Sequence, residues 1–296
     1  MLKLLLTAAV AAELLSPAGV PSPDATGFDV PAFTVTRNVE ETHIDFTVRD
    51  RKGEPVRGLT PRDFAVLQDG TRIPELSSFR QVEDPAVQFT LVLDVSESMR
   101  PVLDSEERIA RIFSAEMHQE SGSTAVVRFA TAPNALAVPN AISGPPATGQ
   151  TALYDTLCRV ADSLSTAPSD PPRRQIVVVI TDGEDSWSRN TLADTIASLQ
   201  RAEVTVYPLT VHSHRLEFVG DRVMRELAAA TGGRAYFLKD YRELESAIRS
   251  IKAQRPAIYQ VAFRPPPGSG SGFHRLEVRL PDRKLVVRAR SGYYLP

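Results

Sequence analysis

The chain has 296 residues, a formal net charge of −2 and a single cysteine. That length accommodates one α/β domain of ordinary size plus a smaller module. The near-neutral charge, with scattered basic residues, gives no electrostatic basis for binding nucleic acid, and one cysteine excludes an intrachain disulfide.

At the N-terminus, Met1-Leu2-Lys3 forms a short positive region and Leu4 to Ala12 an apolar run. Ser16-Pro17-Ala18 then places small residues where a signal peptidase reads. Residues 1–18 are therefore expected to be a signal peptide, and the mature protein to be exported, periplasmic or secreted; the rival reading is a short surface helix of a cytoplasmic protein. No later stretch reaches about 18 uninterrupted apolar residues, so no membrane span is expected in the mature protein.

Residues 28–85 read as an N-terminal β module. The apolar residues of Ile44 to Val48 alternate with the strand period, Asp50 to Gly53 and Asp69-Gly70 are turn signals, and Thr60-Pro61-Arg62-Asp63 reads as a short helical start. From residue 86 to 254 strand and helix alternate, the mark of a doubly wound, mostly parallel α/β sheet with a Rossmann-like arrangement. Strands are expected at Phe89 to Asp94, Thr124 to Phe129, Ala135 to Pro139, Gln175 to Thr181, Val204 to Val211 and Arg234 to Leu238. Helices are expected at Val102 to Gln119, along the stripe Leu153, Leu157, Val160 and Leu164, and at Thr191 to Arg201, Val223 to Ala230 and Arg242 to Ala253. Cys158 lies beside the stripe and reads as a structural small hydrophobe. Residues 255–296 return to alternation at Ala257 to Phe263, Phe273 to Leu280 and Lys284 to Ala289. This last piece is too short to bury a core alone, so both flanks are expected to build one β-sandwich with the central domain inserted between them. Its basic residues Arg279, Arg283, Lys284, Arg288 and Arg290 read as a solvated face rather than an anion site.

Three segments of the central region carry oxygen chemistry. Asp94, Ser96 and Ser98 follow the first strand at i, i+2 and i+4; Thr151 lies in Gly149-Gln150-Thr151; and Asp182 follows Ile176 to Ile180 in Thr181-Asp182-Gly183-Glu184. A carboxylate and two hydroxyls leaving a strand can converge on a small, hard cation. Open α/β sheets place their sites at the carboxyl ends of strands, where Asp94 and Asp182 fall. Taken alone, the segments are also compatible with ordinary polar turns at strand ends.

In this order, D-x-S-x-S, a lone Thr after Gly, and T-D-G resemble the metal-ion-dependent adhesion site of von Willebrand factor type A domains. The resemblance implies that Ser96, Ser98 and Thr151 offer hydroxyl oxygens and that Asp94 and Asp182 act directly or through water. The implied ion is divalent, Mg²⁺ first, with Mn²⁺ or Ca²⁺ as alternatives. Lys52 to Leu59 with Asp63-Phe64, then Tyr259 to Phe263, then Arg290 to Tyr294 further resemble a bacterial family of exported proteins whose central domain is described as von Willebrand A-related. The sequence departs from bacterial members at Glu97 and Gln150, where glycine is common. Glu97, Asp155, Glu184 and Asp185 are expected to form an acidic rim or second shell.

With mostly neutral ligands, the ion would keep much of its charge and leave a position for an outside carboxylate. The resemblance thus implies binding of a protein ligand that presents Asp or Glu. No enzymatic activity is expected, since the sequence has no His near the three segments, no G-x-S-x-G elbow, no glycine-rich phosphate loop and no H-E-x-x-H. Two alternatives stay open: a hydrolase using His212 and His214, expected on the same sheet edge, or a scaffold in which the metal only stabilises the fold.

Overall fold

The computed structural model describes residues 41–83, 85–99, 112–117, 124–130, 149–166, 173–211, 219–239, 242–253 and 258–295, all within the unit Val39–Pro296. The expected signal peptide, most of the helix at Val102 to Gln119, the strand at Ala135 to Pro139, and His212 and His214 lie outside these residues. The N-terminal flank supplies β1 (Thr42–Arg49), β2 (Ala65–Gln68), β3 (Thr71–Arg72) and β4 (Ser78–Val82). The central segment supplies β5 (Val87–Asp94), β6 (Thr124–Phe129), β7 (Arg174–Ile180), β8 (Val204–Val211) and β9 (Tyr236–Leu238). Its helices are α1 (Leu153–Thr166), α2 (Leu192–Arg201), α3 (Val219–Thr231) and α4 (Arg242–Lys252), and residues 112–117 are also helical. The C-terminal flank supplies β10 (Ile258–Phe263), β11 (Gly272–Arg279), β12 (Val286–Ala289) and β13 (Gly292–Leu295).

The central sheet runs β6-β5-β7-β8-β9, with every pair parallel. Parallel strands buried on both faces need near-continuous apolar sequence, which β5 and β7 have. Phe89, Leu91 and Leu93 pack on one face with Phe113 and with Ile248 and Ile251 of α4. Val92, Val177 and Val179 pack on the other with Leu157 of α1, Leu199 of α2 and Leu227 of α3. Each such fully buried side chain contributes about 1.5–3 kcal/mol. The chain leaves β5 toward β6 on one side and reaches β7 on the other. The order therefore reverses at β5/β7, and a crevice opens beyond their carboxyl ends.

Both flanks build the same sandwich. One antiparallel sheet runs β12-β1-β10-β4 and the other β13-β11-β2-β3. Thus β1 has both of its neighbours from beyond the central domain, and β2 pairs with β11. The sheets share a core in which the Phe46 ring lies 5.1 Å from Phe64 and 5.2 Å from Tyr259. The Tyr259 hydroxyl stays satisfied, donating to the Val56 carbonyl at 2.9 Å and accepting from the Leu59 amide at 3.2 Å. The central domain interrupts the sandwich between the adjacent strands β4 and β10, where Val82 stands opposite Ile258.

Several expectations need local correction. Thr60 to Asp63 makes a single turn and no helix follows it, although the Asp63 carboxylate accepts the Thr60 amide and hydroxyl at 2.7 and 2.8 Å as at a helix start. The helix expected from Val223 begins at Val219, through the polar stretch Gly220-Asp221-Arg222 that hides its start from apolar periodicity. Thr191 is the N-cap of α2, closing a reciprocal capping box with Asp194. The tail arginines are not all solvated. Arg288 donates to the Gly233 carbonyl at 2.9 Å, and the largely buried Arg290 side chain pairs with Glu203 at 3.2 Å. Beyond them, Ser291 donates from its amide to the Ala230 carbonyl at 3.0 Å, and Arg201 lies 4.1 Å over the Tyr294 ring. The tail thereby fastens the sandwich to the ends of α2 and α3. No helix among the described residues is long and apolar enough to cross a membrane.

Candidate metal centre

Asp94 is the last residue of β5, and its carboxylate has no solvent exposure. One oxygen accepts the Ser96 amide at 2.9 Å, and the other accepts the Thr181 hydroxyl at 2.6 Å. The Ser96 hydroxyl donates to the same group. Even so, burial pushes the Asp94 carboxyl up to about 6, against those three donations and with the negative charge of Asp182 adding to the rise. None of the leading influences on it is a cationic side chain. A buried carboxylate short of positive charge is a site that a cation would relieve.

Three segments meet around the turn that follows this carboxylate. The first is the turn after β5. Its start is tied to β6 by the Val95 amide, which donates to the Phe129 carbonyl at 2.8 Å. Ser96 is buried, and Ser98 lies in the 3-10 turn Glu97–Met99, although its hydroxyl is outside the described side chains. The second is the approach to α1. The Glu97 amide reaches the Gly149 carbonyl at 3.3 Å, which brings Gly149 and the nearly buried Thr151 beside the first turn. The third is the exit of β7, where Thr181 touches Asp94. Asp182 follows, accepting the Glu184 amide at 3.0 Å.

The residues expected as an acidic rim divide into two kinds. Glu97 and Glu184 are exposed. Asp185 and Asp155 use their carboxylates as backbone acceptors. Asp185 receives the Leu153 and Tyr154 amides at the start of α1, at 2.8 and 3.2 Å, as well as the Ser188 hydroxyl at 2.6 Å. Asp155 receives the Arg189 and Asn190 amides at 3.1 and 2.9 Å. Burial works to raise the Asp155 carboxyl, but the Asn190 and Arg189 donations outweigh it and hold the group below the ordinary range. Ser186 adds a third bracket, accepting the Thr151 amide at 3.0 Å while its own amide donates to the Thr151 carbonyl at 2.9 Å. The loop at residues 183–190 therefore fixes where Thr151 stands.

Two contributors were not singled out from sequence. Thr181 bridges Asp94 to the Gly183 amide, which donates to its hydroxyl at 3.1 Å. Its signal was its place inside T-D-G. Gly220 is the other: a Cβ there would lie 2.3 Å from the Asp182 carbonyl, and a Cβ on Gly183 would lie 2.7 Å from the Gly220 carbonyl. Only glycines allow this backbone-to-backbone approach, and Gly183 also has φ of 83°.

The donor chemistry suits a hard divalent ion. Among the described residues no group of three or more His, Cys, Asp or Glu is placed to hold a metal. The oxygens on offer are two carboxylates and the hydroxyls of Ser96 and Thr151, a set that favours Mg²⁺ over zinc or copper. Cys158 stands apart. Its thiol is directed at the Thr195 hydroxyl at 3.6 Å, and burial raises it above its ordinary range.

A doubly wound parallel domain with an oxygen cluster at its switch point defines a class of α/β binding domain. The family model for the von Willebrand factor type A domain matches residues 89–250, and the chain belongs to that family. Among solved structures, the chain is similar to the von Willebrand factor type A protein from Catenulispora acidiphila. The match has 14% identity and a TM-score of 0.48, over 88% of this chain and 74% of that one. A mutant of the PilB minor pilin from Streptococcus sanguinis matches at 12% identity and a TM-score of 0.42, over 57% of this chain and 61% of the pilin. No curated protein matches the chain.

Proposed function

We propose that this protein is an exported, non-enzymatic binding module that captures an Asp or Glu of a protein partner through a divalent cation, Mg²⁺ first. The observation that carries the reading is Asp94: a carboxylate without solvent exposure, pushed up to about 6, with buried hydroxyls beside it. Asp94, Ser96, Ser98, Thr151 and Asp182 would hold the ion. Supplied there, the ion offers a positive charge and an open coordination position for the partner's carboxylate. The chain's own residues do the rest. Thr181 and the Ser96 amide orient the Asp94 carboxylate, while Asp155, Asp185 and Ser186 fix Thr151. Coulomb attraction to the partner is large in a partly dry interface, but ion and carboxylate must both shed water, so the net gain is modest. Specificity then comes from the surface around the site. The composition of residues 1–18 supports export.

The test is calorimetric titration of Mg²⁺ and Mn²⁺ into the folded protein, beside Asp94→Ala. Saturable binding in the parent and none in the variant is expected. Equal binding in both would refute the site. A partner whose capture ignores chelator, while chelator lowers the melting temperature, would instead mark a purely stabilising metal.

A further inference from the structure

An open groove of about 410 Å³ lies between the C-terminal half of α3, the segment leading into β9, and β12. Its floor is small and apolar: Ala228, Ala229, Ala235 and Val287. Three arginines, Arg225, Arg234 and Arg288, also line it. Each guanidinium is steered. Arg225 lies 4.4 Å over the Phe237 ring, Arg234 lies 5.1 Å from the Tyr236 ring centre, and Arg288 is tethered to the Gly233 carbonyl at 2.9 Å. Among the described residues neither Arg234 nor Arg288 has a carboxylate partner. Burial and then the neighbouring Arg234 work against the charge of Arg288, so the Arg234–Arg288 side of the groove carries positive charge that the described residues do not balance.

The strands beside the groove add a second, independent observation. Among the described strands, β9 is the outer strand of the central sheet and β12 the outer strand of its sandwich sheet. Outer strands present backbone donors and acceptors in a row, with Phe237 and Val286 as exposed apolar residues on them. An edge of this kind accepts an added extended segment, whose side chains then alternate toward and away from the protein. Guanidinium forks recognise carboxylates with paired hydrogen bonds, and here they are held in place beforehand.

We propose that this groove docks an extended, acidic segment of a partner protein, its backbone along an outer strand and its carboxylates on Arg225, Arg234 and Arg288. The surface does not depend on the metal centre. With this groove and the proposed metal centre each taking a carboxylate, one molecule would bridge two acidic partners.

The probe is a fluorescein-labelled octapeptide of alternating Glu and Val, read by fluorescence anisotropy with the whole chain in excess chelator, so that the metal centre contributes nothing. A Lys-Val peptide, inorganic phosphate as competitor and the Arg62→Gln variant serve as controls. The expected result is salt-sensitive binding of the acidic peptide alone, unchanged in Arg62→Gln. The double variant Arg225→Glu/Arg234→Glu, whose sites are exposed, should bind at least about tenfold more weakly. Arg288 is left intact because it fastens the tail. Absence of binding by the folded parent would overturn the proposal, as would equal binding by the double variant. So would displacement by phosphate at peptide-equivalent concentration, which would mark a small-anion site instead.

Discussion

Replacing Asp94 by asparagine should stabilise the metal-free protein while abolishing its response to Mg²⁺. The carboxyl moves from 3.8 to about 6 on folding because the group is buried. A raised folded value means that the native state holds a proton more tightly than the unfolded chain. The corresponding stability is fully present below 3.8 and is lost as pH rises through about 6. At about pH 7.5 the rise from 3.8 to about 6 corresponds to about 3 kcal/mol against the folded state. Asparagine removes this penalty, which already includes the Thr181 and Ser96 hydrogen bonds to the carboxylate, but its amide pairs less well with the Thr181 hydroxyl than a neutral carboxyl would, at about 2 kcal/mol. A net gain of about 1 kcal/mol, or about 2–4 °C in melting temperature, should remain in chelator. At about pH 4.5 the gain should shrink or reverse. In Mg²⁺ at a hundred times its dissociation constant the parent alone should gain about 2.7 kcal/mol, inverting the order. Urea melts of both proteins, at the two pH values with chelator and at the upper one with Mg²⁺, measure all of this. A parent–variant difference in chelator that stays constant between the two pH values would refute the reasoning.

Three further outcomes follow from contacts elsewhere. His274 sits between Asp69 and the Gly270 carbonyl, both at 2.8 Å, and donation to Asp69 first, then to Gly270, raises its imidazole above the ordinary range. Its contribution is present below the unfolded value of about 6.5 and lost as pH rises through the raised folded one, so the hairpin from β10 to β11 should gain amide-exchange protection on acidification through that window. Asp185→Ala removes the acceptor of two α1 amides and should cost about 1–2 kcal/mol in urea melts. By loosening Thr151 it should also weaken Mg²⁺ affinity by about 10-fold in calorimetry. Ending the chain at residue 256 deprives β1 of both neighbours, so limited proteolysis should digest residues 41–83 while sparing the central domain; a resistant N-terminal fragment would refute the shared sandwich.

The alternation of strand and helix in the central region was legible because each strand there is a local apolar run and each helix a local stripe. Asp94 and Asp182 could be placed at strand ends for the same reason. The sandwich was legible only as a need, since the last 42 residues cannot enclose a core; its register joins Thr42 to Phe263 and no local pattern encodes that. Asp155 and Asp185 read as acid near a metal because charge is visible in sequence, whereas their amide partners, more than 30 residues away, are not. Arg288 and Arg290 alternate as a solvated edge would, and their engagement with Gly233 and Glu203 depends on how two domains meet.

The position of the insertion has a mechanical consequence. The chain leaves β4 at Val82 and returns at Ile258, which are paired residues at one end of two neighbouring strands. Tension applied at the carboxyl ends of the central strands and resisted by the sandwich would therefore divide between two covalent leashes pulling in the same direction. Peeling of β4 from β10 is then avoided. The load passes along β10 into its ladder with β1, from Thr42–Phe263 to Thr47–Ile258, whose hydrogen bonds lie across the line of pull and must slip together rather than open one by one.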